Sequence, residues 1–516
     1  MKEAAGMGQR EDRVFAEQER IRQGGPPRGH DKQREAGKHF VRDRLALFFD
    51  HDSPYLESGQ FARWPDQELA ADGVVTGVGR VAGRDVFFTA SDFTVKAGSI
   101  GRYHGDKLVR SQQAAVRARR PIVYLVDSSG ARIEETGGHH VDRDGPGKLF
   151  YMHSVMSGSV PQVAVLYGTC FAGTAYTPVF ADFLVMMKDA AMAIASPRMV
   201  EMVIGQKVSP GELGGVEVQA KIAGSAHFVA DTETEAAALV RSLLSYLPDS
   251  CDKKPPRAPA RAPQRAPADI DNIIPSDPNR PYDVRQLIAC VVDADSFLEV
   301  KAQFARELVT GLARLDGHVI GVVANQPAVK GGTLFPESSD KGAEFVWLCD
   351  AYNIPLLYLV DTPGFMVGTA VEKNAILRRG RKFIYATSSA TVPRICVVVR
   401  KAYGAGIYAM SGPAYDPEVT LALPSAEIAV MGPEAAINAV YYNKLQAMQD
   451  PAQRQVMVDT LREEYRAGYD IFKLAGELVV DELVAPRELR DQLVRYFELY
   501  ADKRVSLPPR KHATIL

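Results

Sequence analysis

The sequence predicts an α/β fold built twice in one chain, with mainly parallel strands covered on both faces. Three observations carry this. The stretch "YLVDSSGAR" that begins at Tyr124 returns as "YLVDTPGFM" at Tyr358, an offset of 234 positions. The same offset pairs Gly77 with Gly311, Gly83 with Gly317, "VKAG" with "VKGG", Asp106-Lys107 with Asp340-Lys341, and Gly130 with Gly364, without a gap across more than fifty positions. Within each copy, short apolar or alternating runs are interleaved with helical stretches, the pattern of βαβ units.

The elements of each copy follow in order. An alternating strand pair opens the unit, "VVTGVGRVAGRDVFFTAS" in the first and "LARLDGHVIGVVANQ" in the second. A Gly turn leads to a helix, "DKLVRSQQAAVRARR" or "DKGAEFVWLCDAYN". Pro121 and Pro355 then stop the helix and start a wholly apolar strand, which suits a strand buried on both faces. A second apolar strand, "VPQVAVLYG" or "VPRICVVVRKAYG", runs into Gly and Ala and then a further helix.

A chain of 516 residues exceeds a single core, and the duplication sets the expected division. Residues 1–250 form the first domain and 284–516 the second. Between them, 251–283 contains "KKPPRAPARAPQRAPAD", whose Pro, Ala and basic residues read as a solvated linker.

Net charge of -2 gives no general attraction to nucleic acid or to a membrane surface, and neither is expected as a partner. Five scattered cysteines without a CxxC pair suggest neither a disulfide framework nor a zinc site, and point to a reducing compartment. The first residues, charged and mixed in sign, lack the apolar core of a secretory signal. No apolar run approaches the roughly 20 residues of a membrane helix, so a cytoplasmic location is expected.

The chemistry is expected at two strand ends, "CFAGTAY" (Cys170 to Tyr176) and "YGAGIYAM" (Tyr403 to Met410). A small-residue turn opening a helix aims backbone N–H groups and the positive helix end at a bound oxygen, as an oxyanion hole does. Singly, either turn serves close helix-strand packing equally well; two at matching places favour a binding role. His139 and His140 are adjacent without ligand spacing, and no metal site is expected. The chain has no GxSxG elbow and no GxxxxGK[ST] phosphate loop. Charge stabilisation without a protein nucleophile, base or metal is what remains.

Taken with "VYLVDSSGARI", "YGTCFAGTAYTPVFADF", "NIPLLYLVDTPGFMVG", "TVPRICVVVRKAYGAGIYAM" and "AEIAVMGPEAAIN", the chain closely resembles the carboxyltransferase (β) subunits of biotin-dependent acyl-CoA carboxylases over roughly residues 30 to 510. The resemblance implies two tandem crotonase-like domains, each a ββα superhelix. It implies carboxyl transfer from biotin, borne covalently on a partner's carrier domain, to an acyl-CoA thioester whose enolate must be stabilised alongside the biotin ureido oxyanion. Matched residue by residue, it places the thioester hole at Gly173 and Thr174 and the biotin hole at Ala405 and Gly406. It lines the acyl-CoA side with Ser129, Gly130, Ala131, Arg132 and Tyr176, a structural Gly turn being the alternative; Tyr408 is expected as a wall of the acyl pocket, against the alternative that its ring packs the helix after the turn.

There are departures. Thr174 stands where many members have a second Gly, and Tyr408 where propionyl-CoA members have Asp, so acyl choice stays open. The chain has no "AMKM"-type biotinylation sequence and no ATP-grasp half, which implies a biotin carboxylase and carrier α subunit as partner. Homo-hexamers, trimers of dimers, are the family's assembly. A carboxyltransferase subunit running in a biotin-dependent acyl-CoA decarboxylase, and a non-catalytic scaffold, are the alternatives.

Overall fold

The computed structural model describes residues 7–135, 142–143, 145–505 and 507–509, and divides into two compact units between Lys254 and Pro255.

In the first unit the strands are β1 Leu56–Ser58, β2 Val74–Val81, β3 Arg84–Ser91, β4 Ile122–Val126, β5 Gln162–Leu166, β6 Thr169–Phe171, β7 Phe183–Met187, β8 Ala191–Ala193 and β9 Phe228–Ala230. The main sheet runs β1-β2-β3-β4-β5-β7-β9, antiparallel through β3 and parallel beyond it. The short parallel pair β6-β8 stands apart as a second layer. In the second unit the strands are β10 Leu298–Val300, β11 Leu308–Leu315, β12 His318–Asn325, β13 Leu356–Thr362, β14 Arg394–Tyr403, β15 Val419–Ala422, β16 Glu427–Ala429 and β17 Glu482–Leu483. Its sheet, β10-β11-β12-β13-β14-β15-β17, repeats the order of the first. Here β14 runs on past the sheet to pair with β16 through Lys401 and Tyr403, so one long strand spans both layers.

The duplication holds down to turn geometry. The hairpin after β2 has Ala82 and Gly83 at φ 50° and 76°, and the hairpin after β11 has Asp316 and Gly317 at 50° and 77°. Two successive positive φ angles make a type I′ turn, whose twist matches that of the strands it joins. Each following helix, Arg102–Ala118 or Pro336–Ala351, buries a lysine. The Lys107 ammonium donates to the carbonyls of Ala71 and Val74. Lys341 donates to those of Lys301, Phe304 and Leu308, at 3.0, 2.8 and 2.7 Å. Burial lowers the two ammonium pKa values to about 8 and about 7. The carbonyl cages tie each helix to the loop that precedes its sheet's long hairpin.

One expectation is corrected. Residues 251–283 are not a free linker: 257–266 are largely exposed, but from Pro255 the chain is laid on the second unit. Ala258 N donates to Gly317 O at 3.0 Å and Arg265 N to Ala289 O at 3.1 Å. Ile270, Ile273 and Tyr282 are buried in the core with Leu287, Val322 and Leu359. Composition misled because the apolar anchors of "DIDNII" follow a stretch whose extended backbone still needs hydrogen-bond partners, and the unit supplies them. Gly317 has to be glycine for this approach, since a Cβ there would fall 2.0 Å from Ala258 O.

Candidate active site

Strands β5 and β6 deliver the chain to a sharp turn at Ala172, whose φ of 58° lies in the left-handed region. A helical turn, Ala172–Ala175, begins there and passes directly into the helix Tyr176–Phe180. Gly173 and Thr174 therefore occupy a helix start, where N–H groups have no acceptor in their own helix. A Cβ added at Gly173 would meet nothing nearer than Phe150 Cζ at 3.9 Å, so the space beside its backbone is open. The Thr174 side chain is buried and its hydroxyl donates to Phe171 O at 2.8 Å. It closes the turn and leaves the backbone as what Thr174 can present. Tyr176 is exposed, its ring 5.0 Å from that of Phe150.

In the second unit β14 ends at Tyr403, and Gly404 turns the chain with the same φ of 58°. Ala405 and Gly406 then open the helix Gly406–Ala409. Ala172, Gly173, Thr174 and Tyr176 thus correspond to Gly404, Ala405, Gly406 and Tyr408, with the offset now 232. A Cβ at Gly406 would lie 2.8 Å from Gly364 Cα and 3.1 Å from Thr362 Cγ2, so this turn rests on the "DTPGF" turn, backbone against backbone. Tyr408 is 41% exposed and stacks on Tyr415, ring centroids 5.3 Å apart and 20° from parallel. It is therefore no core residue.

The "SSGAR" turn is brought to the same end of the sheet, where Gly130 and its counterpart Gly364 share a φ of 112°. Ser129 and Ala131 are exposed, and the turn is pinned by Ser129 N donating to Ala97 O and by Ile100 N donating to Gly130 O. Arg132 does not join them. Its guanidinium is buried in an ion pair with Asp72 and donates to Ser99 Oγ at 3.2 Å. The expected substrate-binding arginine is instead an anchor, because a buried carboxylate at position 72 takes its charge.

Beneath each turn lies a charge pair that sequence reasoning missed. Asp127, the Asp of the first "YLVD", is buried and meets Arg44 at 3.3 Å and Lys38 at 2.9 Å. Arg44 is fully buried, donates to Glu233 at 2.8 Å, and stands 3.7 Å over the Tyr167 ring. Asp361, the Asp of the second "YLVD", receives Arg400 at 2.9 Å. Burial raises the Asp361 carboxyl against the pull of Arg400. The repeated Asp was the only available sequence signal, for the arginines come from unrelated places in the two copies.

Among the described residues no group of three His, Cys, Asp or Glu could hold a metal, and His139 and His140 lie outside them. The buried Cys170 beside the first turn has its thiol pushed up to about 12 by burial, which leaves it protonated and unreactive. What the arrangement offers is paired backbone donors at two helix starts, suited to oxygen atoms that gain negative charge.

Comparison with known proteins bears on that chemistry. A carboxyl transferase domain matches residues 32–515. The chain belongs to the carboxyltransferase family of biotin-dependent acyl-CoA carboxylases. It is 48% identical over 96% of its length and 96% of the other's to the uncharacterized carboxylase YngE of Bacillus subtilis. It is 39% identical, with 99% of each chain covered, to the propionyl-CoA carboxylase carboxyltransferase subunit of Haloferax mediterranei. The transcarboxylase 12S structure, a hexamer with methylmalonyl-coenzyme A and methylmalonic acid bound, superimposes with a TM-score of 0.93 at 38% identity, covering 100% of this chain and 99% of that one. This carboxyltransferase therefore has the crotonase-like fold in both units, and acyl-CoA carboxyl transfer is its reaction class. No described helix is long and apolar enough to cross a membrane.

Proposed function

We propose that the carboxyltransferase moves a carboxyl group between biotin, carried by a biotin carboxylase/carrier partner, and the α-carbon of an acyl-CoA. The Gly173–Thr174 turn takes the thioester oxygen, and the Ala405–Gly406 turn takes the biotin ureido oxygen. The observation that carries this is the shared left-handed residue, Ala172 and Gly404 at φ 58°, each just before the donors of a helix start. The same backbone device made twice suits a reaction in which two oxygens gain charge. Each donor is typically worth about 3 kcal/mol in the transition state.

Gly364, Gly404, Ala405 and Gly406 carry no side chain larger than a methyl, which suits the second turn to a flat ureido ring. Biotin supplies the carboxyl group on its carrier, and this chain's part is to hold the thioester oxygen at the turn of its first unit and the ureido oxygen at the turn of its second. Ser129, Gly130, Ala131 and Tyr176 line the acyl-CoA approach, with Arg132 holding the "SSGAR" turn from below. The buried Asp127 and Asp361 pairs fix the strand ends on which the turns stand. The 12S relative is described as a hexamer. By analogy this chain assembles as a cytoplasmic trimer of dimers close to six times 56.3 kDa.

The test is to purify the chain with its native partners and measure bicarbonate-dependent ATP hydrolysis over acetyl-, propionyl-, butyryl- and methylcrotonyl-CoA. Stimulation by at least one thioester, with the carboxylated product recovered, is expected. A complex that binds acyl-CoA and transfers no carboxyl group would leave the chain a scaffold.

A further inference from the structure

The second unit buries a guanidinium whose hydrogen bonds, among the described residues, all go to uncharged oxygens. Arg394, the first residue of β14, is only 5% exposed. Its Nη1 donates to Thr387 O at 2.9 Å and to Ser411 Oγ at 3.2 Å, its Nη2 donates to Asp416 O at 3.0 Å, and its Nε has no partner. A buried cation ordinarily takes a carboxylate, so what this one holds instead shows its use.

Its acceptors surround the far end of the turn helix Gly406–Ala409. Thr387 belongs to the last turn of the helix Ile376–Ser389, and its hydroxyl donates to Ala409 O at 2.8 Å. That carbonyl ends its helix and has no acceptance from within it. Ser411 and Asp416 carry the chain away at φ 57° and 47°, left-handed backbone that side chains disfavour and that needs an anchor. Thus β14 serves the turn from both sides: its last residue delivers the chain to Gly404, and its first fixes, through Thr387, the other end of the same helix. A helix of four residues has no interior, and Ala409 N and Met410 N donate straight back to Ala405 O and Gly406 O. The direction of the N–H groups at Ala405 and Gly406 therefore follows from how Ala409 is held.

The first unit holds its turn helix differently. Gln162 stands in the place of Arg394 and His153 in that of Thr387, while Tyr124 matches Tyr358. Gln162 Oε1 accepts from Tyr124 Oη at 3.2 Å and lies 2.8 Å from His153 Nδ1. His153 then meets the helix Tyr176–Phe180 through a ring, stacked on Phe180 with centroids 5.6 Å apart. The first clamp is a neutral ring contact, whereas the second is a hydrogen-bonded chain that begins at a cation.

We propose that Arg394 and Thr387 are positioning residues for carboxyl transfer: they fix the end of the helix Gly406–Ala409 and so aim the Ala405 and Gly406 N–H groups at the ureido oxygen. This rests on the second turn being the biotin side.

The test uses the full chain in its assembled enzyme, with carboxylation of free biotin from a carboxylated acyl-CoA and deuterium exchange at the acyl-CoA α-carbon as the two activities. Thr387→Val keeps the side-chain shape and leaves Ala409 O without its donor. It should lower kcat with free biotin by about 10- to 100-fold, the cost of a small misplacement at a reacting centre, with KM for acyl-CoA and the α-carbon exchange unchanged. Thr387→Ser restores the hydroxyl and should recover most of that rate. Arg394→Gln, which installs the first unit's residue, should lower the same kcat; if it does not fold, the two Thr387 variants decide. Amide hydrogen exchange over 404–410 reads the clamp without turnover, and should quicken in Thr387→Val and not in Thr387→Ser. A lowered melting temperature with the two activities in their wild-type ratio would make the pair merely structural and overturn the proposal, as would unchanged amide exchange in Thr387→Val. Quickened amide exchange with the α-carbon reaction slowed more than the biotin reaction would keep the clamp and overturn the assignment of the second turn to biotin.

Discussion

Substitutions at the two turn glycines should separate the half-reactions and, differently, the stabilities. Gly173 lies outside the left-handed region, and a Cβ there would meet only Phe150 Cζ at 3.9 Å, an ordinary contact. Gly173→Val should therefore fold with the wild-type melting temperature. Its branched side chain nevertheless stands beside the N–H groups that we propose for the thioester oxygen. Losing one such donor costs about 100- to 1000-fold in rate. Gly406 is the opposite case, because even a methyl would lie 2.8 Å from the Gly364 backbone. Relieving that overlap typically costs about 1–3 kcal/mol. For a unit of this size, Gly406→Ala should lower the melting temperature by roughly 2–12 °C. The assays are deuterium exchange at the acyl-CoA α-carbon and carboxylation of free biotin from a carboxylated acyl-CoA. Gly173→Val should abolish the exchange, and Gly406→Ala should slow the biotin reaction while exchange continues. Near-normal exchange in a folded Gly173→Val enzyme would refute the placement of the thioester hole.

Three further outcomes are expected. Arg400→Met leaves the Asp361 carboxyl buried without its guanidinium and should destabilise the second unit by about 3–5 kcal/mol, read by denaturant unfolding. His104 is buried in the first unit and its pKa is lowered to about 3, chiefly by burial, so the unfolded chain binds its proton first and stability falls as pH drops below about 6.5. By pH 5 that is about 2 kcal/mol, and His104→Gln should remove this part of the wild-type pH dependence. Tyr408→Ala should change the ranking of acyl-CoA substrates by about 10- to 200-fold in kcat/KM, the range open to an apolar pocket wall; an unchanged ranking would leave Tyr408 as the stacking partner of Tyr415.

The repeat was legible because strand, turn and helix are all specified locally, and one offset carried through from Gly77 to Gly130. The type I′ hairpins at Ala82-Gly83 and Asp316-Gly317 and the strands after Pro121 and Pro355 follow from residue types alone. Long-range charge was not legible. Asp127 finds Lys38 in a loop and Arg44 in the helix Val41–Phe48, both upstream, whereas Asp361 finds Arg400 downstream on β14. The copies solve the same burial problem with different arginines, so the repeat gives no hint of them. Arg132 was misplaced for a related reason. The resemblance implies that it lines the acyl-CoA side, but Asp72, 60 positions upstream, holds its guanidinium.

The residue types at the two turns say what the architecture maintains. Gly404 reaches φ 58° without steric penalty, while Ala172 holds the same angle with a Cβ, a conformation that costs roughly 1–2 kcal/mol. Neither the small side chain nor its absence is common to the copies; the backbone path is. In a left-handed residue the chain reverses sharply enough for the next peptide groups to begin a helix, so their N–H groups face away from the strand that delivered them. The side chains that follow, Thr174 against Gly406 and Tyr176 against Tyr408, then differ in contact and exposure while standing on one frame. Thr174 turns inward to Phe171, Gly406 leans on Gly364, Tyr176 packs on Phe150 and Tyr408 on Tyr415. A duplicated domain can thus keep one backbone path and diverge in what surrounds it, which, on the proposed assignment of the two oxyanion holes, is what a transfer between two chemically different partners requires of its two halves.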